Sequence, residues 1–225
     1  MYLADRIAGP DLFNSAFHRQ GRGFDDPDYV KVGEYIQQLV KMGAFNPGFN
    51  GLSYDQGGSR QLMYSGQAAM MVMSNSFVNN WRQESPDFEK KVGVIPFPTV
   101  PGGKGDPSDV NAVTAPVWSV SSKTKYPDLA VDLVKELTST ETAQEYANKT
   151  GSVTAVTGVS SSDPFVKIFS DLAQNAKYMQ WPYDQTLPPD LAQVHLDATQ
   201  AIFGLTESPK DALKKVEDKA KEVLK

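Results

Sequence analysis

The sequence predicts an α/β fold in which many helices pack around a small sheet. Two observations carry this. Helical-period apolar faces recur along the 225 residues, each opened by a proline or a capping side chain and several closed by glycine. Between them lie only three short apolar runs that read as buried strands, Ala68–Met73, Val92–Ile95 and Val117–Ser121. Few strands interleaved with helices favour helices packed on a small sheet. At 40% hydrophobic and 22% charged residues the chain is ordinary for a globular protein and can bury a core.

Each element has a local reason. A helical pattern runs from Met1 through Ile7, and Pro10 opens the next, with Leu12, Phe13 and Phe17 on one side. Asp26-Pro27 starts a longer helix whose apolar face is Tyr29, Val32, Ile36, Leu39 and Val40, closed by Gly43. A short helix spans Ser59–Ser65. Ala68–Met73 then reads as a strand, although periodicity alone does not separate it from a helix. A helical turn over Phe77–Gln83 carries Trp81, and Val92–Ile95 is the second strand. Proline and glycine fill the segment from Pro96 to Pro107, so the chain must change direction there. After the strand Val117–Ser121, helices start at Pro127 (with Leu129, Leu133, Val134 and Leu137 apolar), at Thr140 and at Pro164, with Phe165, Ile168, Phe169 and Leu172 inward. An irregular stretch covers Tyr178–Pro189. Leu191–Phe203 and a helix opened by Ser208-Pro209 close the chain. Three strands make a meagre sheet: either others are unread, or another part of the protein completes it.

Composition excludes several functions. A net charge of −5 without a basic block disfavours a nucleic-acid partner. No cysteine is present, so disulfides and thiolate metal sites are out, and His18 and His195 are too few and too far apart for a zinc centre. The longest apolar run, Ala68–Met73, is far too short to cross a bilayer. Gly102-Gly103-Lys104-Gly105 lacks the spacing of a phosphate-binding loop, and no dinucleotide, serine-hydrolase or metalloprotease motif occurs. Asp25, Asp26 and Asp28 sit at a helix start, where capping explains them. Asp184 stands among aromatics without a second carboxylate of the kind glycoside hydrolysis needs. No catalytic residue, metal or cofactor is therefore predicted.

What rises above background is Tyr178-Met179-Gln180-Trp181-Pro182-Tyr183-Asp184-Gln185, aromatic rings interleaved with amide and carboxylate groups. A sugar offers an apolar C–H face and a rim of hydroxyls, which such a segment suits. The alternative is that Trp181 and Tyr183 plug the core beneath a loop.

Three stretches in order resemble the extracellular solute-binding proteins of carbohydrate ABC importers, the family similar to maltose-binding protein. They are Met63–Phe77 around Gly66-Gln67-Ala68-Ala69-Met70, then Val92–Pro98 with Trp118–Leu137, then Tyr183–Pro189 and the closing helices. Where that family commonly has glycine and tryptophan after the first strand, this chain has Ser74-Asn75-Ser76-Phe77. The resemblance implies a type II periplasmic-binding-protein-like α/β fold, mostly its C-terminal lobe (residues 1–96 and 157–225) with a segment of the N-terminal lobe (97–156). It implies sugar capture and delivery to membrane permease subunits by a monomer, outside the cytoplasm, with the export signal and lipid-anchoring cysteine lying outside this chain. Trp181 or Tyr183 is then expected as stacking platform and Asp184 as hydroxyl acceptor. Tyr178, Asn75, Phe77 and Asn111 are expected to face the same cleft. Two other readings remain, a carbohydrate-active enzyme fragment and a truncated lobe that no longer binds.

Overall fold

Prolines and short polar side chains set where the helices begin. The computed structural model describes residues 1–112 and 117–224. Helix α1 (Tyr2–Ala8) breaks at Gly9, whose φ of 79° suits glycine, and α2 (Asp11–Phe17) follows Pro10. The Asp26 carboxylate caps α3 (Pro27–Lys41) by accepting from the Asp28 amide at 2.8 Å. Next come α4 (Gly58–Tyr64), α5 (Ser76–Glu84), the two-residue strand β1 (Val110–Asn111) and α6 (Pro127–Leu137). Helix α7 (Thr140–Thr150) is capped by Ser139, and α8 (Pro164–Gln174) by Asp163, which accepts from the amides of Phe165 and Val166. Strand β2 (Met179–Gln180), α9 (Tyr183–Thr186), α10 (Pro189–Phe203) and α11 (Pro209–Val223), capped by Ser208, complete the order.

Two expectations from the sequence need correction. Ala68–Met73, Val92–Ile95 and Val117–Ser121 are not strands; among the described residues the sheet consists of β1 and β2 alone, parallel, with Val110 opposite Met179 and Asn111 opposite Gln180. A strand exists only where a neighbour takes up its backbone hydrogen bonds. These runs have apolar composition without that neighbour, and Val72, Ile95, Val117 and Trp118 are exposed. The Tyr178–Pro189 stretch, conversely, is less irregular than its prolines suggest, because Pro182 sits at the N-cap of α9 and Pro189 in the first turn of α10. Neither place requires a proline N–H.

The chain divides into two compact units, Met1–Met70 with Pro96–Val113 and Ala176–Lys225, and Met71–Ile95 with Thr114–Asn175. These units share the break at 96 with the lobe division expected from the sequence, and their other boundaries fall at 70, 113 and 175. Residues 97–109 stay with the first unit because they dock on α1. The amides of Lys104 and Gly105 donate to the carbonyls of Ile7 and Arg6 at 3.1 and 3.3 Å. A Cβ on Gly103 or Gly105 would lie 2.0 or 2.1 Å from the carbonyl oxygens of Arg6 and Asp5, so only glycine permits this approach. The buried Arg6 guanidinium donates to the carbonyls of Asp109 (3.0 Å) and Pro107 (3.2 Å) and pairs with Asp5.

The rest of the first unit's core joins α1 and α2 to α3, α10 and α11 through Leu12, Phe13, Phe24, Leu191, Ile202, Ala212, Val216 and Ala220. Arg19, at a positive φ of 57°, reaches Glu217 on α11 through two hydrogen bonds, and Glu217 also accepts from the Phe24 amide at 2.9 Å. The second unit has its own aromatic cluster of Phe77, Trp81, Phe88 and Phe165. Beside it Arg82 joins Glu89 to the α8 cap Asp163. Helix α6 forms as expected but none of its residues is buried, and Leu129 remains 68% exposed.

Burial opposes ionisation of Glu217, but the bonds from Arg19 and the Phe24 amide outweigh it and hold its carboxyl below the usual range. Its contribution is therefore present above the unfolded-chain value of 4.5 and is lost as pH falls through the lower folded value. Glu217→Ala is expected to cost about 3 kcal/mol at neutral pH, read from urea unfolding, because it strands a guanidinium and a buried amide. The gap to the parent narrows in acid.

Candidate functional site

Helix α2 and the β2–α9 segment border an open hollow of about 410 Å³ in the first unit. From α2 come Phe13, Asn14, Phe17 and, at its C-cap, His18; from the other side come Tyr178, Gln180, Trp181, Gln185 and Thr186. Its floor is built by ring stacking. Tyr183 lies parallel to Phe13 at 4.1 Å and edge-on to His195 on α10, and Phe13 stacks on Phe17 at 5.7 Å. This series runs from the core to the wall of the hollow, with the rings set at favourable offset or edge-on distances.

The rim is polar and holds no carboxylate, lysine or arginine side chain. The Asn14 amide donates to the Tyr178 hydroxyl at 3.0 Å, and that hydroxyl lies 3.2 Å from Asn14 Oδ1. Gln180 is buried and donates from Nε2 to the Trp181 carbonyl at 2.8 Å, fixing the backbone that carries the indole. The strand pair holds the same stretch from beneath, with Val110 and Ala112 amides donating to the carbonyls of Tyr178 and Gln180 at 3.0 and 3.1 Å. Trp181 is 49% exposed beside the hollow.

The residues singled out from the sequence fall in different places. Tyr178 and Trp181 line the hollow, as does Gln180 from the same stretch. Tyr183 does not: at 5% exposure it is a core ring, and burial pushes its hydroxyl's pKa up. Of the two rings, Trp181 is the accessible one. Asp184 is exposed, accepts from its neighbour Gln185 at 3.0 Å and is not among the lining residues. Asn111 lies opposite Gln180 on β1, its Oδ1 buried and without a partner. Asn75 and Phe77 belong to the second unit. Asn75 is half-buried at the start of α5. Phe77 is 6% exposed and packs on Trp81 and Phe88, a core position, because the α5 face that carries it also carries Trp81.

Asn14, Phe17 and His18 were not expected in a site. The available signal was polar Asn14 and His18 four apart on a helix whose other face is aliphatic and aromatic, which puts both on one side. His195, beneath Tyr183, is held neutral: burial lowers its pKa to about 4, and its Nδ1 has no partner. Among the described residues no group of three or more His, Asp or Glu side chains could hold a metal ion, and no helix is long and apolar enough to cross a membrane.

The sequence signature described as bacterial extracellular solute-binding protein matches residues 2–144. The chain belongs to this family. No curated relative matches it by sequence. Among solved structures it is similar to one from work on xylan utilization by the thermophilic bacterium Caldanaerobius polysaccharolyticus, with 26% identity and a TM-score of 0.82 over 97% of this chain and 56% of that one. It is also similar to a chitin oligosaccharide binding protein (21%, TM-score 0.79, 98% of this chain and 55% of that one). A third is an extracellular solute-binding protein from Staphylococcus aureus in complex with maltose (22%, TM-score 0.59, 92% and 54%). The fold class is therefore that of the periplasmic solute-binding proteins, and this family member spans about half the length of those structures.

Burial separates the two rings of the 178–185 stretch energetically. Tyr183→Ala is expected to destabilise the first unit by about 3–4 kcal/mol, as for deletion of a large core aromatic, whereas Trp181→Ala changes stability by less than about 1 kcal/mol. Parallel urea titrations of the two variants read the difference.

Proposed function

We infer that the chain is part of an extracytoplasmic protein that binds a sugar, most simply an oligosaccharide, and presents it to the permease subunits of an ABC importer without chemical change. The observation that carries this reading is the half-exposed Trp181 indole at a hollow rimmed by amides and hydroxyls. A flat apolar face beside neutral forks is what a pyranose ring with its equatorial hydroxyls takes up, and it offers no nucleophile or acid–base pair. Family membership supports delivery to a membrane partner and a location outside the cytoplasm. The names of the similar structures (xylan utilization, chitin oligosaccharide, maltose) support a carbohydrate as the solute. Assignment of the two compact units to the two lobes of a longer binding protein, acting as a monomer, is part of the same proposal. So is a contribution of Asn75, Asn111 and Asp184 to the ligand site of that whole protein.

Calorimetry with xylo-, chito- and malto-oligosaccharides, on this chain and on a version extended to the length of its structural relatives, tests the reading. In whichever form binds, Trp181→Ala is expected to weaken affinity by about 1–3 kcal/mol at unchanged circular dichroism. Unaltered affinity, or consumption of the sugar on prolonged incubation, overturns it.

A further inference from the structure

Several donors around the hollow are already engaged within the chain. Gln180 is 5% exposed and lines the hollow, and its Nε2 donates to the Trp181 carbonyl at 2.8 Å. A carbonyl only accepts, so the amide must turn its NH2 that way, which leaves Oε1 uncommitted. Among the described residues nothing donates to that oxygen, and it is not one of the polar atoms cut off from solvent. Gln185 repeats the arrangement, with Nε2 donating to Asp184 Oδ2 at 3.0 Å and Oε1 unclaimed among the described residues. The single hydroxyl hydrogen of Thr186 goes to the Pro182 carbonyl at 3.0 Å, so its oxygen offers lone pairs only. Three of the lining side chains thus present acceptors, and the charged group bonded to them is the Asp184 carboxylate. Gln180 is the buried one of the three. It sits on β2, where its own carbonyl accepts from the Ala112 amide at 3.1 Å.

We propose that Gln180 is the specificity-determining residue of the hollow: its Oε1 accepts a hydroxyl hydrogen from the sugar residue that lies on Trp181, and with Gln185 and Thr186 it selects neutral residues with free hydroxyls against acidic ones. This rests on the sugar reading of the hollow given above. A hydroxyl donates to such an oxygen and can accept elsewhere, whereas an ionised carboxylate has no hydrogen to give. Lodged here, a carboxylate faces acceptor lone pairs and Asp184, with no lysine or arginine on the rim to offset its lost hydration. The bond from Nε2 holds the backbone that carries the indole, so the acceptor and the ring keep a fixed separation. A sugar therefore meets the stacking face and the acceptor as one rigid unit.

Calorimetry compares whichever of xylotetraose, chitotetraose and maltotetraose binds with its deoxyfluoro analogues and with a form ending in a uronic acid, on this chain and on its extended version. A fluorine has nearly the size of a hydroxyl and cannot donate. His18 is the one lining side chain that can become cationic, so the titrations are run at pH 8. In the parent protein one deoxyfluoro analogue and the uronate form are each expected to bind about tenfold more weakly than the neutral sugar. In Gln180→Met, which keeps the length of the side chain without its amide, the neutral sugar is expected to lose about tenfold, and that analogue to bind no worse than the sugar itself. A side chain that merely supports the fold weakens sugar and analogue alike. The preference of the parent protein is read without any variant. Equal affinity for the uronate form, or an analogue penalty that survives in Gln180→Met, overturns the proposal and leaves the sugar reading standing. Failure of every neutral sugar to bind either form of the protein overturns both.

Discussion

The first unit is organised around the burial of one guanidinium. Arg6 is almost wholly removed from water, and a charge in that position must find hydrogen-bond acceptors or destabilise the fold by several kcal/mol. Its acceptors are the Asp5 carboxylate and carbonyls from residues 97–109, so the path of that segment is dictated by the arginine rather than by its own composition. The glycines at 103 and 105 follow from the same constraint, since they bring backbone against backbone. The segment then delivers β1 to β2, and β2 delivers Gln180 and Trp181 to the hollow. A side chain on the first helix therefore governs the place of a ring 175 positions later.

Helix starts were legible in the sequence because they are local. Asp26, Asp163 and Ser208 cap the helices their prolines announce, through bonds to amides two or three residues on. Strands were not legible, because a strand is defined by a partner and composition describes only one side of the pair. Val92–Ile95 has the residues of a buried strand and lies exposed at Ile95, whereas Val110-Asn111 and Met179-Gln180, too short to notice, form the sheet. Helix α6 makes the same point. Its periodicity predicts that it forms, and says nothing of what covers Leu129 and Leu133.

The candidate site was half legible. An aromatic and amide-rich stretch at 178–185 stood out, and it does border the hollow. Which ring is accessible depends on α2, far away in sequence, whose Phe13 takes Tyr183 into the core and leaves Trp181 outside. The opposite wall, Asn14 and His18, carries no motif and becomes visible only when α2 is laid against β2. Asn75 and Phe77 were chosen by resemblance to a family pattern, and packing in the second unit claims Phe77 for its own aromatic cluster.

The exposed methionines give the uncovered surface a chemical signature. Met70 is 80% exposed and Met73 40%, both within the apolar run Ala68–Met73, which has no neighbouring strand among the described residues. A thioether open to water is converted by peroxide to a sulfoxide, a polar group that no longer suits burial against a sheet, and reductases reverse the change. The redox state of two exposed side chains thus sets how polar this run of the surface is.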